Sequence, residues 1–385
     1  RQKAPMSLTS FRLSACIFTI FLVYGIWVPF LPIWLEGRSL TELQVGVVFA
    51  VALWARIPIG LVLASIADAT GQRKPILIAI ALIICLGFVS FMFIDGYLAL
   101  LLGWMIVGTL LTSTVPLTDN LVIMAIGERK ADYGRIRMWG SVAFIGTSVL
   151  GGWYLQGRGN ETILHLLIAG SVVIVLGTLL LPGVRVAPRT TRKPALFELF
   201  SDRRFAVFVL TAATLQASHA ALYGFASKSW KTAGLEEGII GLLWAEGVVL
   251  EILLFTLGRR ILARFEIWQI LLLAAVAGMI RWSALGLTAD LYWLIAVQSL
   301  HALTFAGTHL AAVMYIAREI PGDRSATAQG LYDGLGMGLM FGVAMMLAGW
   351  VYETSGTDAF FVMAIFSALG GLGAVIMGRM RLPAH

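Results

Sequence analysis

The sequence predicts an all-α membrane protein of twelve transmembrane helices, built as two six-helix, pseudo-symmetric bundles. Three observations predict it. Twelve apolar stretches of bilayer-crossing length follow one another through the 385 residues. Basic residues fall in alternate loops. Short pieces of the first half recur in the second at a nearly constant offset.

The composition is 59% hydrophobic and only 13% charged, which leaves too little polar surface for a soluble chain. A helical crossing takes about 20 apolar residues. The candidates are 12–35, 43–66, 75–94, 98–126, 137–156, 162–182, 204–230, 238–258, 267–287, 291–317, 326–352 and 358–378. The first carries Pro, Trp and Tyr and has no cleavage site, so it reads as a retained helix and not a signal peptide. The fourth holds TVPLTDN, where Pro116 removes a backbone donor and bends the helix just before Asp119. Between the sixth and seventh spans lies the longest polar stretch, with Pro188 and Pro194. It divides the chain into a bundle over 1–182, a cytoplasmic linker over 183–203 and a bundle over 204–385. Cys16 and Cys85 fall at different depths and read as small apolar residues, with no disulfide framework and no metal spacing.

The formal charge of +7 suggests nucleic acid, but the positions exclude it. One side of the membrane takes Arg1, Lys3, Arg12, Arg73, Lys74, Arg129, Lys130, Arg135, Arg137, the run from Arg185 to Arg204, Arg259, Arg260, Arg264, Arg318, Arg324, Arg379 and Arg381. The other has Arg38, Arg158, Lys228 and Lys231. By the positive-inside rule both termini are cytoplasmic. The expected partners are the lipid bilayer and a small-molecule substrate; the chain is expected to act as a monomer in a bacterial inner membrane.

SLTELQVG at 39–46 aligns with GLEEGIIG at 234–241, and DGYLAL from Asp95 with DLYWLI from Asp290, both at an offset of 195. GGWYLQ at 151–156 aligns with AGWVYE at 348–353 at 197. Parallel six-helix repeats of this kind place a substrate path near the membrane midplane.

Ionisable side chains inside membrane helices are costly and usually functional. They are Arg56, Asp119, His219, Glu246, Glu251, Arg281, His301, His309 and Asp333. Arg56 and Glu251 occupy equivalent positions of the repeat, a base in one half and an acid in the other. Asp119 and Arg137 lie on neighbouring helices and can pair; the arginine fork suits hydroxyls or a carboxylate. Gln216, His219 and Tyr223 share one helical face. Gln298, His301, Thr304 or Phe305, and Thr308 share another, from which His309 departs by about 80° in ideal geometry. Glu246 and Glu251 are about 140° apart, so one is expected to face a cavity and the other to pack sideways. Trp27, Phe144 and Tyr223 are among the aromatics able to stack on a flat ligand.

ASIADATGQRKP at 64–75 resembles a loop signature of the major facilitator superfamily through Asp68, Gly71, Arg73 and Lys74, with Ala64 and Ala69 departing from it. An acid at a helix end and bases in a tight turn form an expected conformational gate. YGIWVPFLPIWL (24–35), LTDN (117–120) and DYGRIRMWGSVAF (132–144) resemble the lactose permease group. LQASHAALYGF (215–225), GVVLEILLF (247–255), IRW (280–282) and SLHALTFAGTHLAA (299–312) extend a closer likeness to the 3-phenylpropionate transporter family over nearly the whole chain. The resemblance implies a proton-coupled secondary transporter without cofactors, not an enzyme. It implies substrate contacts at Asp119, Arg137 and Phe144, an acid at or near Glu246, and proton coupling around Arg281 and His301. The carboxylate expected one turn after the histidine is Thr304, and the lysine one turn before it is Gln298. Glu251, Glu246, Asp119 or His301 must then carry the proton. Arg56, Arg137 or Arg281 would hold a carboxylate substrate; a sugar or an exported drug are the alternatives.

Overall fold

The computed structural model describes residues 8–126, 130–183, 196–258, 264–322 and 324–380. Among the described residues twelve long helices follow in order: α1 Leu8–Gly37, α2 Glu42–Thr70, α3 Lys74–Ser90, α4 Tyr97–Ile126, α5 Lys130–Leu155, α6 Glu161–Leu179, α7 Arg203–Thr232, α8 Glu237–Thr256, α9 Ile267–Leu287, α10 Leu291–Glu319, α11 over 325–355 and α12 Ala359–Arg379. A short helix, Leu196–Ser201, precedes α7. All twelve expected spans are recovered. Most are long and apolar enough to cross a bilayer, and large apolar side chains such as Phe93 and Leu287 stand exposed, as lipid-facing positions do. Most of the 183–203 linker lies outside the described residues. So do the basic residues Arg1, Lys3, Arg129, Arg259, Arg260 and Arg381.

Contacts group the chain into two units. One contains Arg1–Leu40, Ala55–Thr191 and Leu235–Ala245; the other contains Thr41–Trp54, Arg192–Gly234 and Glu246–His385. The start of α2 therefore belongs with the second unit, and the start of α8 with the first.

In the first unit α1 is the central helix, with Leu13, Cys16, Ile17, Ile20 and Val23 buried. It packs on α5 and α6. Pro29 lies inside α1 and cannot donate to the Gly25 carbonyl four residues back. Ser148 of α5 donates to that carbonyl at 3.1 Å, so the apolar interior holds no stranded acceptor there. At one end Arg38 ties three connections together. Its Nε and Nη2 donate to the two Glu161 oxygens at 2.9 Å each. Its Nη1 donates to Asp95 at 2.5 Å and the Ile94 carbonyl at 3.4 Å, and Nη2 also reaches the Phe91 carbonyl at 3.3 Å. These hydrogen bonds, Glu161 first, hold the guanidinium protonated more firmly than an ordinary arginine. At the other end Gly71 adopts φ 63°, a left-handed turn that favours glycine. The turn brings Arg73 onto Asp68 at 2.7 Å. Lys74 Nζ caps the end of α6, donating to the Leu179 and Leu181 carbonyls at 2.8 and 2.6 Å.

In the second unit Asp202 and Asp290 cap α7 and α10 through their side chains. Phe208 and Tyr315 stack with centroids 3.8 Å apart, and Trp282 Nε1 donates to Ser218 and Ser367 across helices. The start of α2 meets α11 and α7 here. Lys228 pairs with Glu42, the Leu43 amide donates to Glu353 at 2.9 Å, and Trp54 Nε1 donates to the Leu339 carbonyl at 3.2 Å. Gly349 makes this approach possible: a Cβ there would lie 2.6 Å from the Glu42 carbonyl and 3.2 Å from Leu43 Cα. Both obstacles are backbone and cannot rotate away. Gly349→Val is therefore expected to cost about 1–3 kcal/mol by overpacking, read as a lowered midpoint of thermal unfolding in detergent. An unchanged midpoint would mean the two helices separate freely.

Candidate functional site

Four π-helical turns interrupt the second unit: Leu222–Ala226 in α7, Leu254–Gly258 at the end of α8, Ala302–Gly307 in α10 and Asp333–Met340 in α11. The described helices of the first unit have none. A π turn holds one residue more than an α turn and recurs at functional sites. Each of these begins at, or within three residues of, an ionisable group: His219, Glu251, His301 and Asp333.

Arg281 of α9 is the hub. It is fully buried, with Trp282 against the face of its guanidinium at 4.6 Å. Its Nη1 donates to His301 Nδ1 at 2.9 Å and Thr304 Oγ1 at 3.1 Å; its Nη2 donates to Gln298 Oε1 at 2.6 Å. A guanidinium only donates, so His301 Nδ1 must be bare. The ring proton is then on Nε2, which donates to Glu251 at 2.7 Å. His301 is thus a neutral imidazole between a guanidinium and a carboxylate. The second histidine is fixed by the same logic. His219 Nδ1 faces the Leu215 and Gln216 carbonyls at 3.2 and 3.1 Å, which only accept, so it carries the proton. Its Nε2 accepts from Thr304 Oγ1 at 3.0 Å. Phe305 stacks on the His301 ring at 5.3 Å. Gln298 and Thr304, the two departures from the family pattern, thus ligate the hub directly.

Both acids of α8 reach this hub electrostatically. Glu251 is bound by His301, whereas Glu246 makes no hydrogen bond or ion pair among the described residues. Tyr223 packs edge-on against Phe341.

The first unit carries a separate polar group. Asp119 and Arg137 approach to 3.9 Å, a loose pair. Tyr133, one turn before Arg137, lies within electrostatic reach of Asp119. Phe21 lies against the Arg137 guanidinium at 4.3 Å. From Phe21 an aromatic row runs along α1 through Tyr24 at 5.1 Å to Trp27 at 5.6 Å, and on to Trp104. Arg56 lies within electrostatic reach of Tyr24. Phe144 is buried, its carbonyl beside Gly25. The Arg137 terminal nitrogens make no hydrogen bond among the described residues. Tyr133 and Phe21 were not singled out from sequence; their i, i+4 relation to Arg137 and i, i+3 relation to Tyr24 were the available signals.

Many membrane-crossing helices, with buried charges clustered within them, define a multi-pass transporter of the major facilitator type. The MFS_1 like family matches residues 10–363, and the chain belongs to that family. It is 35% identical over 352 residues to the probable 3-phenylpropionic acid transporter of Escherichia coli K12, covering 90% of this chain and 92% of that protein. It is 22% identical over 338 residues to the maltose permease of Geobacillus stearothermophilus, covering 87% and 86%. The crystal structure of the nucleoside transporter NupG superposes with a TM-score of 0.85 at 18% identity, covering 98% of this chain and all of that one. These similar proteins are transporters, not enzymes.

Proposed function

We propose that this protein is a proton-coupled symporter of a small aromatic carboxylate such as 3-phenylpropionate, working by alternating access in a bacterial inner membrane with both termini cytoplasmic. The observation that carries the reading is the contrast between two arginines. Arg281 is sealed, its fork committed to His301, Thr304 and Gln298. Arg137 is a third exposed, its terminal nitrogens uncommitted and one face covered by Phe21. A guanidinium with open parallel donors beside aromatic rings suits an arylcarboxylate. The named activity of the relative at 35% identity points to the same chemistry.

In this reading Arg137, with Asp119 beside it, takes the carboxylate, and the rings of Tyr24, Trp27 and Phe144 favour the aryl group. Glu251 takes the proton. Its ionised form balances Arg281 through His301; its protonated form leaves the buried guanidinium only the more distant charge of Glu246, and an under-compensated buried charge is costly in a low-dielectric site. Protonation therefore biases the protein toward a different arrangement. Glu246, Asp68, Gly71, Arg73 and Lys74 tune that equilibrium. One carboxylate moving with one proton transfers no net charge.

Equilibrium binding of labelled 3-phenylpropionate to the detergent-purified chain tests the assignment. Arg137→Lys loses the planar fork and is expected to weaken binding by about 1.5–3 kcal/mol, roughly ten- to 150-fold in Kd. Arg281→Lys is expected to damage stability more than affinity. Wild-type affinity in Arg137→Ala would exclude Arg137 from the site. The relative named a maltose permease supplies the rival substrate class; saturable maltose binding with no arylcarboxylate binding would select it.

A further inference from the structure

Nothing in the hydrogen bonding of Arg137 fixes where its fork points. Asp119 stands 3.9 Å from its Nε, and its terminal nitrogens make no hydrogen bond among the described residues. Packing between α1 and α5 supplies what the polar contacts do not. Glycines lie on both sides of this crossing. At Gly25 a Cβ would lie 2.7 Å from the Phe144 carbonyl oxygen and 3.1 Å from the Ser148 nitrogen. Those obstacles are backbone, so the bare position at Gly25 sets how closely the two helices approach. Gly140 of α5 is different. It is buried, and a Cβ there would lie 2.7 Å from Arg137 Nη1, 2.9 Å from Phe21 Cδ2 and 3.0 Å from Ile17 Cγ2. All three atoms belong to side chains, so the missing Cβ makes room for side chains and not for a neighbouring backbone. A side chain at 140 would lean toward the N-terminus of α5, over the turn that carries Arg137. The notch is where the guanidinium and the Phe21 ring meet, 4.3 Å apart. Ile17 and Phe21, one turn apart on α1, close it from the other side. Beside it Trp139 meets Phe18 edge-on at 6.3 Å, which steadies α5 against α1 at this level.

We propose that Gly140 is a positioning residue: by lacking a Cβ it seats the Arg137 guanidinium against Phe21, and so gives the site its preference for a carboxylate over a neutral group of the same shape. The inference rests on the substrate role given to Arg137 above. A guanidinium held against a ring face keeps its donor edge pointed one way. Two parallel N–H donors on that edge match the two oxygens of a carboxylate. A primary amide offers one acceptor oxygen and a nitrogen that only donates, so it engages one of the two. A methyl group at 140 pushes Nη1 out of the notch. The long arginine side chain absorbs that shift at little cost to the fold, but one of the two parallel bonds to the carboxylate is lost.

The test is equilibrium binding of 3-phenylpropionate and of 3-phenylpropionamide to the purified chain, read as the ratio of the two Kd values. Gly140→Ala is expected to shrink the wild-type preference for the acid about tenfold, the worth of one hydrogen bond to a charged group, with amide affinity little changed. A general loosening of α1 against α5 would weaken both ligands alike and leave the ratio where it was. Phe21→Leu removes the ring that the guanidinium rests on, and it is expected to shrink the ratio in the same sense. In an Arg137→Lys background Gly140→Ala is expected to change the ratio no further, because the two substitutions act on the same fork. An unchanged ratio in Gly140→Ala would overturn the positioning role while leaving Arg137 as the carboxylate site. Where Gly140→Ala fails to fold, the Phe21→Leu ratio decides in the same way. A wild type that binds the acid no better than the amide would overturn the Arg137 assignment and the inference with it.

Discussion

Glu251→Gln is expected to abolish accumulation against a gradient while preserving exchange of substrate between the two sides. The amide is nearly isosteric with the acid and can still accept from His301 Nε2, so the polar hub stays assembled. What it cannot do is alternate between charged and neutral. The variant holds one charge state permanently, the one the account gives to the proton-loaded protein. Net uptake requires the unloaded protein to return, and exchange does not. Accumulation in this variant equal to wild type would move the coupling role to Glu246 or Asp119. Glu246 would come first, because it acts on the same arginine and lacks a bound partner among the described residues.

Arg281→Met is expected to lower stability by about 3–5 kcal/mol, the cost of breaking a buried charge pair from one side. His301 Nδ1, Thr304 and Gln298 lose their donor together, and the Glu251 charge loses its balance. The double variant Arg281→Met, Glu251→Gln removes both charges and is expected to recover at least half of the loss. Residues within one network couple rather than add. Denaturant unfolding in micelles of the two single variants and the double variant reads this directly. Strict additivity would show that Arg281 and Glu251 do not share a network, and the charge-balance mechanism would fail with it.

The helices were legible because membrane crossing writes itself in length and apolarity, and the family because its residues recur along the chain. The polar hub was partly legible. Arg281, His301 and His219 stand out as ionisable groups in oil-like helices, and Glu251 through the repeat. The reading stopped where ideal helical geometry stops. The π turns beside His219, Glu251 and His301 shift every later residue around its helix, and no propensity in ALTFAG announces an extra residue. The start of α2 joining α11 was illegible for another reason: it depends on Gly349 removing one Cβ at a single crossing, and a glycine in a membrane helix is common. Tyr133 was not legible because tyrosine near a helix end usually reads as an interface residue, while here it lies within electrostatic reach of Asp119.

The most direct test of proton-coupled arylcarboxylate symport is uptake of labelled 3-phenylpropionate by proteoliposomes under an imposed pH gradient, acid outside. The account predicts uphill accumulation that collapses with a protonophore and that a potassium diffusion potential alone does not drive, since the loaded protein moves no net charge. Accumulation driven by voltage alone, or uptake indifferent to the proton gradient, would contradict it.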